Sequence, residues 1–190
     1  AYKIFLASRP QANPSEVFFT IASARGYVRD QTIMAEQRVK GGGKGKTFVY
    51  RLMWRQPVEG GRRVSQHSLC LPFVFDNAAI TPQLVGTGDE PLRLANQMSR
   101  AWIAFARSGN PNVEGLPAWP AFDLQRRATM IFDRESRVID DPRGRGVAQA
   151  PSVGDPAFGA NRPSDGRRAP EVDREPRGQA HLVVGEQRPG

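Results

Sequence analysis

Apolar residues recur at helical spacing twice near the start of the chain. Val17, Phe18, Ile21 and Ala24 or Ala22 follow Asn13-Pro14-Ser15-Glu16, where Asn13 is an N-cap, Pro14 takes the first helical position and Glu16 closes a capping box. Tyr27, Ile33, Met34 and Val39 mark a second helix, divided from the first by Gly26 and ended by Gly41-Gly42-Gly43. Both helices are amphipathic, so each needs a surface on which to bury one face. The period then changes. Residues 46–54, with Phe48-Val-Tyr-Arg-Leu-Met-Trp54, form a nearly continuous run of apolar, aromatic and β-branched residues that Pro57 and Gly60-Gly61 close. Such a run predicts an interior strand covered on both faces. Leu94, Met98, Ala101, Trp102 and Phe105 predict a long helix, with Thr87 or Asp89 as its cap, Pro91 near its start, Gly109 as its stop and Asn110-Pro111 barring its resumption. Leu116-Pro-Ala-Trp-Pro120 reads as a rigid extended link with Trp119 as a packing anchor. Met130-Ile-Phe132 reads as a short edge strand.

No strand of similar quality lies between Trp54 and Ala128, so most of the sheet that the Phe48 run demands is absent from the chain. The expectation is an α/β fragment with a few strands, several helices and an unpaired strand near Val49, hence poor solubility or association. Residues 1–140 make up the patterned part. From 141 to 190 the composition turns to Arg, Gly, Pro, Asp and Glu, with too few large apolar side chains to offset the entropy of ordering, and the tail is expected to be disordered. His181, beside Leu182-Val-Val184, is read as incidental.

A formal charge of +8 and a pI near 10.5 raise the question of nucleic acid. The basic residues Arg38, Lys40, Lys44, Lys46, Arg51, Arg55, Arg62 and Arg63 are broken up by glycines and by the strand, so they make solvated surface rather than one stripe, and nucleic acid is not expected as a partner. Cys70 is the single cysteine, which excludes an intrachain disulfide and a cysteine-rich metal site; no metal or cofactor is expected. No apolar run approaches the length of about 18 residues needed to span a bilayer. No targeting signal is visible, which leaves the compartment open with the cytoplasm as default.

His67 is the residue with the most chemical meaning. A lone histidine in a loop after a strand is a candidate general base, although on spacing alone a histidine bonded to nearby backbone explains it as well. Around it the chain resembles the C-terminal part of the type-B carboxylesterases, the α/β-hydrolase family that includes para-nitrobenzyl esterase-like enzymes and the cholinesterases. The resemblance rests on Asn13-Pro-Ser-Glu-Val-Phe-Phe with Ser23-Ala-Arg25, on Val49-Tyr-Arg-Leu-Met-Trp-Arg-Gln-Pro57, and on His67-Ser-Leu-Cys-Leu-Pro-Phe-Val-Phe-Asp-Asn77. It continues through Ala101-Trp-Ile-Ala-Phe-Ala-Arg-Ser-Gly-Asn-Pro-Asn112, Leu116-Pro-Ala-Trp-Pro120 and Arg127-Ala-Thr-Met-Ile-Phe-Asp133, in family order to about Asp141.

The resemblance implies a C-terminal fragment of an α/β-hydrolase fold and makes His67 the general base of a Ser, Glu/Asp, His triad acting on a carboxylic ester. The other parts of that machinery are not in the sequence. It contains no Gly-x-Ser-x-Gly elbow, Gly41-Gly42-Gly43 fits a helix-ending turn better than an oxyanion loop, and the family's acid lies further upstream than these residues reach. Glu16 and Glu36 are explained as a cap and a solvated helix face. Two positions depart from the family: Cys70 stands where a carboxylate is usual, and Gln66 where a small residue is. Cys70 is read as a structural thiol rather than a nucleophile. The chain alone is expected to be inactive, with a missing N-terminal portion or a second copy as its partner. The alternative is a non-catalytic interaction module of the same fold.

Overall fold

The computed structural model describes residues 10, 14, 17, 18, 21, 27–42, 45–57, 65–142 and 179–184. Strand β1 (Thr47–Leu52) sets the architecture because all six of its residues are buried and successive side chains enter different layers. Phe48, Tyr50 and Leu52 join the main core, whereas Val49 packs with Ala35 and Phe122 on the other side. Helix α1 (Tyr27–Lys40) covers that second side. It carries Asp30 in its first turn and Arg38 and Lys40 in its last, which complements the helix dipole. Gly41 donates to Gln37 O and Gly42 adopts φ 64°, ending the helix where the glycine triplet predicts.

From β1 the chain crosses the main core side through α2 (Cys70–Val74), a 3-10 turn (Ala78–Ile80), α3 (Pro82–Val85) and α4 (Asp89–Ser108), and returns as β2 (Ala128–Phe132), parallel to β1 with Val49 opposite Thr129. Strand β3 (Arg137–Asp140) then pairs antiparallel with β2, and β4 (Gln179–Val184) antiparallel with β1, giving the order β3-β2-β1-β4. The mixed α/β class agrees with the sequence. Three details differ. β2 is interior, since the short charged segment Arg137-Val-Ile-Asp140 supplies the edge. Helix α4 begins after Gly88, which has φ 97° and no side-chain cap, rather than on a Thr87 or Asp89 cap. The strand near Val49 is paired on both sides, not left open.

Helix α4 buries Leu94, Ala95, Met98 and Ala101 and half-buries Trp102 and Phe105. Its carboxyl end closes on Gly109, in the left-handed region at φ 69°, whose N–H donates to Phe105 O. Trp119 is the anchor of the extended link, edge-on to Phe48 (5.8 Å between centroids) and Phe132 (5.6 Å). Its backbone is clamped by Asn112, whose Nδ2 donates to Trp119 O at 2.9 Å while Oδ1 accepts from Trp119 N–H at 2.7 Å.

Of the first predicted helix, Pro14, Val17, Phe18 and Ile21 are described and helical, with Val17 buried; Asn13 and Glu16 lie outside the described residues. Of the tail expected to be disordered, the described residues Gln179–Val184 form a strand, and the rest of 143–190 lies outside the described residues.

Glu36 is more than a solvated helix position. Arg127, itself at φ 54°, donates from Nη1 to Glu36 at 2.6 Å and from Nε to Asp141 at 3.0 Å, and it lies 5.6 Å from the Phe122 ring centre. The Arg127 hydrogen bond holds the Glu36 carboxyl below its ordinary value of 4.5, against the opposing effect of burial. A carboxyl depressed in the fold stabilises it fully above its unfolded value, and that contribution is lost as pH falls through the folded one. The side chains are 15% and 26% exposed, between surface and buried pairs, so Arg127→Ala is expected to cost about 2 kcal/mol at pH 7. Urea unfolding of wild type and Glu36→Gln should show a stability gap at pH 7 that closes as pH falls below the ordinary carboxyl value of 4.5 and through the lower folded one.

Candidate active-site histidine and the turn that holds it

His67 lies beyond the carboxyl end of β1, in the turn Gln66-His67-Ser68-Leu69, and is exposed. In an α/β sheet this is the end at which sites are built, because the loops leaving the strands converge there. The turn is fixed on both flanks. Before it, Ser65 is buried and its Oγ donates to Leu52 O, the last residue of β1, at 3.4 Å. After it, Leu69 is 1% exposed and donates its N–H to Gln66 O, while Leu71 N–H reaches Ser68 O at 3.0 Å. Ser68 takes φ 67°, a conformation disfavoured for a residue with a side chain, which reverses the chain directly after the histidine.

A second layer supports the first. Phe73 of α2, fully buried, stacks edge-on to Trp54 at 5.6 Å, and Trp54 Nε1 donates to Val85 O at 3.0 Å, joining the exit of β1 to α3. Gly86 closes this contact: it sits at φ 90°, and a Cβ there would lie 2.5 Å from Pro57 Cγ. His67 is thus an exposed imidazole on a turn with little freedom to shift, the geometry a general base requires.

Cys70 opens α2 and faces inward. Its thiol and the Tyr50 hydroxyl are hydrogen-bonded, and burial pushes both groups upward, so the sulfur stays protonated at neutral pH. A protonated, half-buried thiol is a poor nucleophile, in keeping with a structural role. Asp133, at the carboxyl end of β2 and so at the same end of the sheet as His67, was singled out in the sequence only as part of a motif. It accepts from Arg134 N–H at 2.9 Å and is pushed upward by burial. Local sequence holds no signal for that burial. His181 stands opposite Tyr50 in the β1–β4 register. Among the described residues, no His, Cys, Asp and Glu cluster could hold a metal, and no helix is long and apolar enough to cross a membrane.

The profile of the carboxylesterase family matches residues 18–148, which include β1, the histidine turn, α4, β2 and β3. The chain belongs to the carboxylesterase family. It is 35% identical over 97 residues to the para-nitrobenzyl esterase of Bacillus subtilis, a match covering 50% of this chain and 19% of that protein. It is 34% identical over 80 residues to the human cocaine esterase, covering 42% of this chain and 14% of that protein. The crystal structure of a Geobacillus stearothermophilus carboxylesterase superposes with a TM-score of 0.62 at 33% identity, over 76% of this chain and 30% of that one. An esterase from Clostridium hathewayi gives 0.55 at 27% identity, over 75% and 27%. This chain therefore spans between 14% and 30% of the length of these four relatives.

Proposed function

We propose that this chain is the C-terminal, histidine-bearing part of a carboxylic ester hydrolase, and that His67 is its general base. The observation that supports this most is the pinned, exposed turn: within the family-matched segment, it holds the His67 imidazole in a fixed position beyond the carboxyl end of β1. In the proposed reaction His67 takes the proton of a serine hydroxyl as it attacks the ester carbonyl, then returns it to the leaving alkoxide. The serine, the acid that orients the imidazole, and the oxyanion donors come from a nucleophile-bearing portion beyond this sequence. No metal or cofactor takes part in these steps.

Without a nucleophile or oxyanion donors, the chain by itself should not turn over esters. Purified chain, assayed on a para-nitrobenzyl ester, is expected to match buffer. Residues 18–148 transplanted into the Bacillus subtilis para-nitrobenzyl esterase, in place of the matching segment, are expected to give an active enzyme. Hydrolysis by the isolated chain, insensitive to His67→Ala, would refute the proposal. A folded but inactive chimera would favour a non-catalytic interaction module of the same fold.

A further inference from the structure

The turn between β2 and β3 is gripped by one stripe of α4. Glu90, Arg93 and Gln97 stand at positions i, i+3 and i+7 of that helix and so share a face. Glu90 pairs with Arg134 Nε at 3.3 Å, Arg93 Nη2 donates to Arg134 O at 3.0 Å, and Gln97 Oε1 accepts from Ser136 Oγ at 3.3 Å. Arg134 N–H donates to Asp133 Oδ1 at 2.9 Å, which closes the turn on the side of β2. Held in this way, the Arg134 guanidinium carbon lies over the Trp54 ring, 5.9 Å from its centre. We propose that Arg134 is a positioning residue for His67, acting through Trp54 and Phe73 on the turn that carries the histidine.

Each link in that line is a contact. Trp54 stands just beyond the carboxyl end of β1; its Nε1 is fixed on Val85 O and its ring meets Phe73 edge-on at 5.6 Å. Phe73 is fully buried in α2, and the first turns of that segment carry the two hydrogen bonds that flank His67, Leu69 N–H to Gln66 O and Leu71 N–H to Ser68 O. A Trp54 ring free to tilt would therefore loosen Phe73, then α2, then both of those bonds. The choice of arginine fits the task. A cation over an indole face is attracted by the ring quadrupole, and a planar guanidinium can stack there while its Nε reaches sideways to a carboxylate, which an ammonium cannot do. The Arg134 and Glu90 side chains are 33% and 44% exposed, so the pair adds little to global stability and its effect is local. The catalytic consequence rests on His67 being the base, as proposed above; the order of the turn does not, and it is measured without turnover.

Proton exchange read by NMR on the full chain tests this. In Arg134→Met, which keeps an apolar stem and removes the charge, the Trp54 indole N–H and the Leu69 and Leu71 amides should exchange about tenfold faster than in wild type. The Gly109 amide, bonded to Phe105 O at the far end of α4, and the midpoint of urea unfolding should stay where they are. Arg134→Lys should bring the three protons back to within about threefold of wild type, because a cation again stands over the ring. Glu90→Gln, which frees the guanidinium, should shift the same three by a smaller factor. In the active chimera, Arg134→Met should lower kcat about tenfold with KM unchanged, and Arg134→Lys should recover most of it. Unchanged exchange of the three protons in folded Arg134→Met would overturn the inference. So would acceleration that spreads equally to Gly109, or an unchanged kcat. Should Arg134→Met not fold, Glu90→Gln decides by the same protons. An inactive chimera whose turn exchanges as expected counts against His67 as the base and leaves the clamp on its turn standing.

Discussion

Replacing His67 by alanine is expected to cost the chimeric esterase on the order of 10⁴-fold in kcat/KM, about 5 kcal/mol of transition-state stabilisation. The size follows from the role. Without a base beside it a serine hydroxyl is a weak nucleophile, and what survives is the contribution of binding and of the oxyanion donors. The loss should fall on kcat, since the imidazole acts on the reacting proton and adds little to ground-state binding. Cys70→Ala separates this from a thiol mechanism: the Cys70 thiol is kept protonated by burial and bonded to Tyr50, so its removal should leave the activity in place. The turn should survive His67→Ala because Ser65, Leu69 and Phe73 hold it, and unchanged urea unfolding would show that chemistry alone was lost.

Trp119→Ala is expected to destabilise the chain by about 3–5 kcal/mol and to lower its Tm by about 10 °C or more. Trp119 is 2% exposed and edge-on to Phe48 of β1 and Phe132 of β2, so it joins the two parallel strands. Tyr50, Trp102 and Phe132 extend the same cluster to α4. Alanine would leave a cavity in the middle of it that the Asn112 clamp on the backbone prevents from collapsing. Total stabilities of single domains are about 5–15 kcal/mol, so a loss of this size is a large fraction of the whole. Phe75→Ala, at a residue 69% exposed, removes a comparable side chain and should change stability by no more than about 0.5 kcal/mol.

Where burial on both faces, a positive-φ stop or a large aromatic dictated the structure, the sequence could be read directly. The Phe48 run is β1, Gly42 and Gly109 end their helices, and Trp119 is the anchor. What escaped depended on contacts distant in the chain. Arg137-Val-Ile-Asp140 is short and half charged, and becomes a strand because β2 offers it a ladder; that pairing moves β2 from the edge to the interior. The region from Cys70 to Val85, with Pro72 and Pro82, carries no predicted element, yet it folds into short helical turns as Phe73 and Val85 join the core around Trp54. Glu36 looked solvated because its partner Arg127 lies far along the chain. Gln179–Val184 carries a weak strand pattern in an unfavourable composition, and only the β1 edge gives it a reason to be a strand. His67 itself was legible as a residue type and as part of a family resemblance. The fixing of its turn through Ser65 and Leu52 was not.

The most direct test of His67 as the triad base is the crystal structure of the active chimera carrying a phosphonate ester on its nucleophilic serine. The account predicts a His67 ring nitrogen within about 3 Å of the serine oxygen, its other nitrogen bonded to a carboxylate from the portion beyond this sequence. A His67 ring turned away from the phosphonate, with a different side chain bonded to the serine oxygen in an enzyme that still turns over, would contradict it.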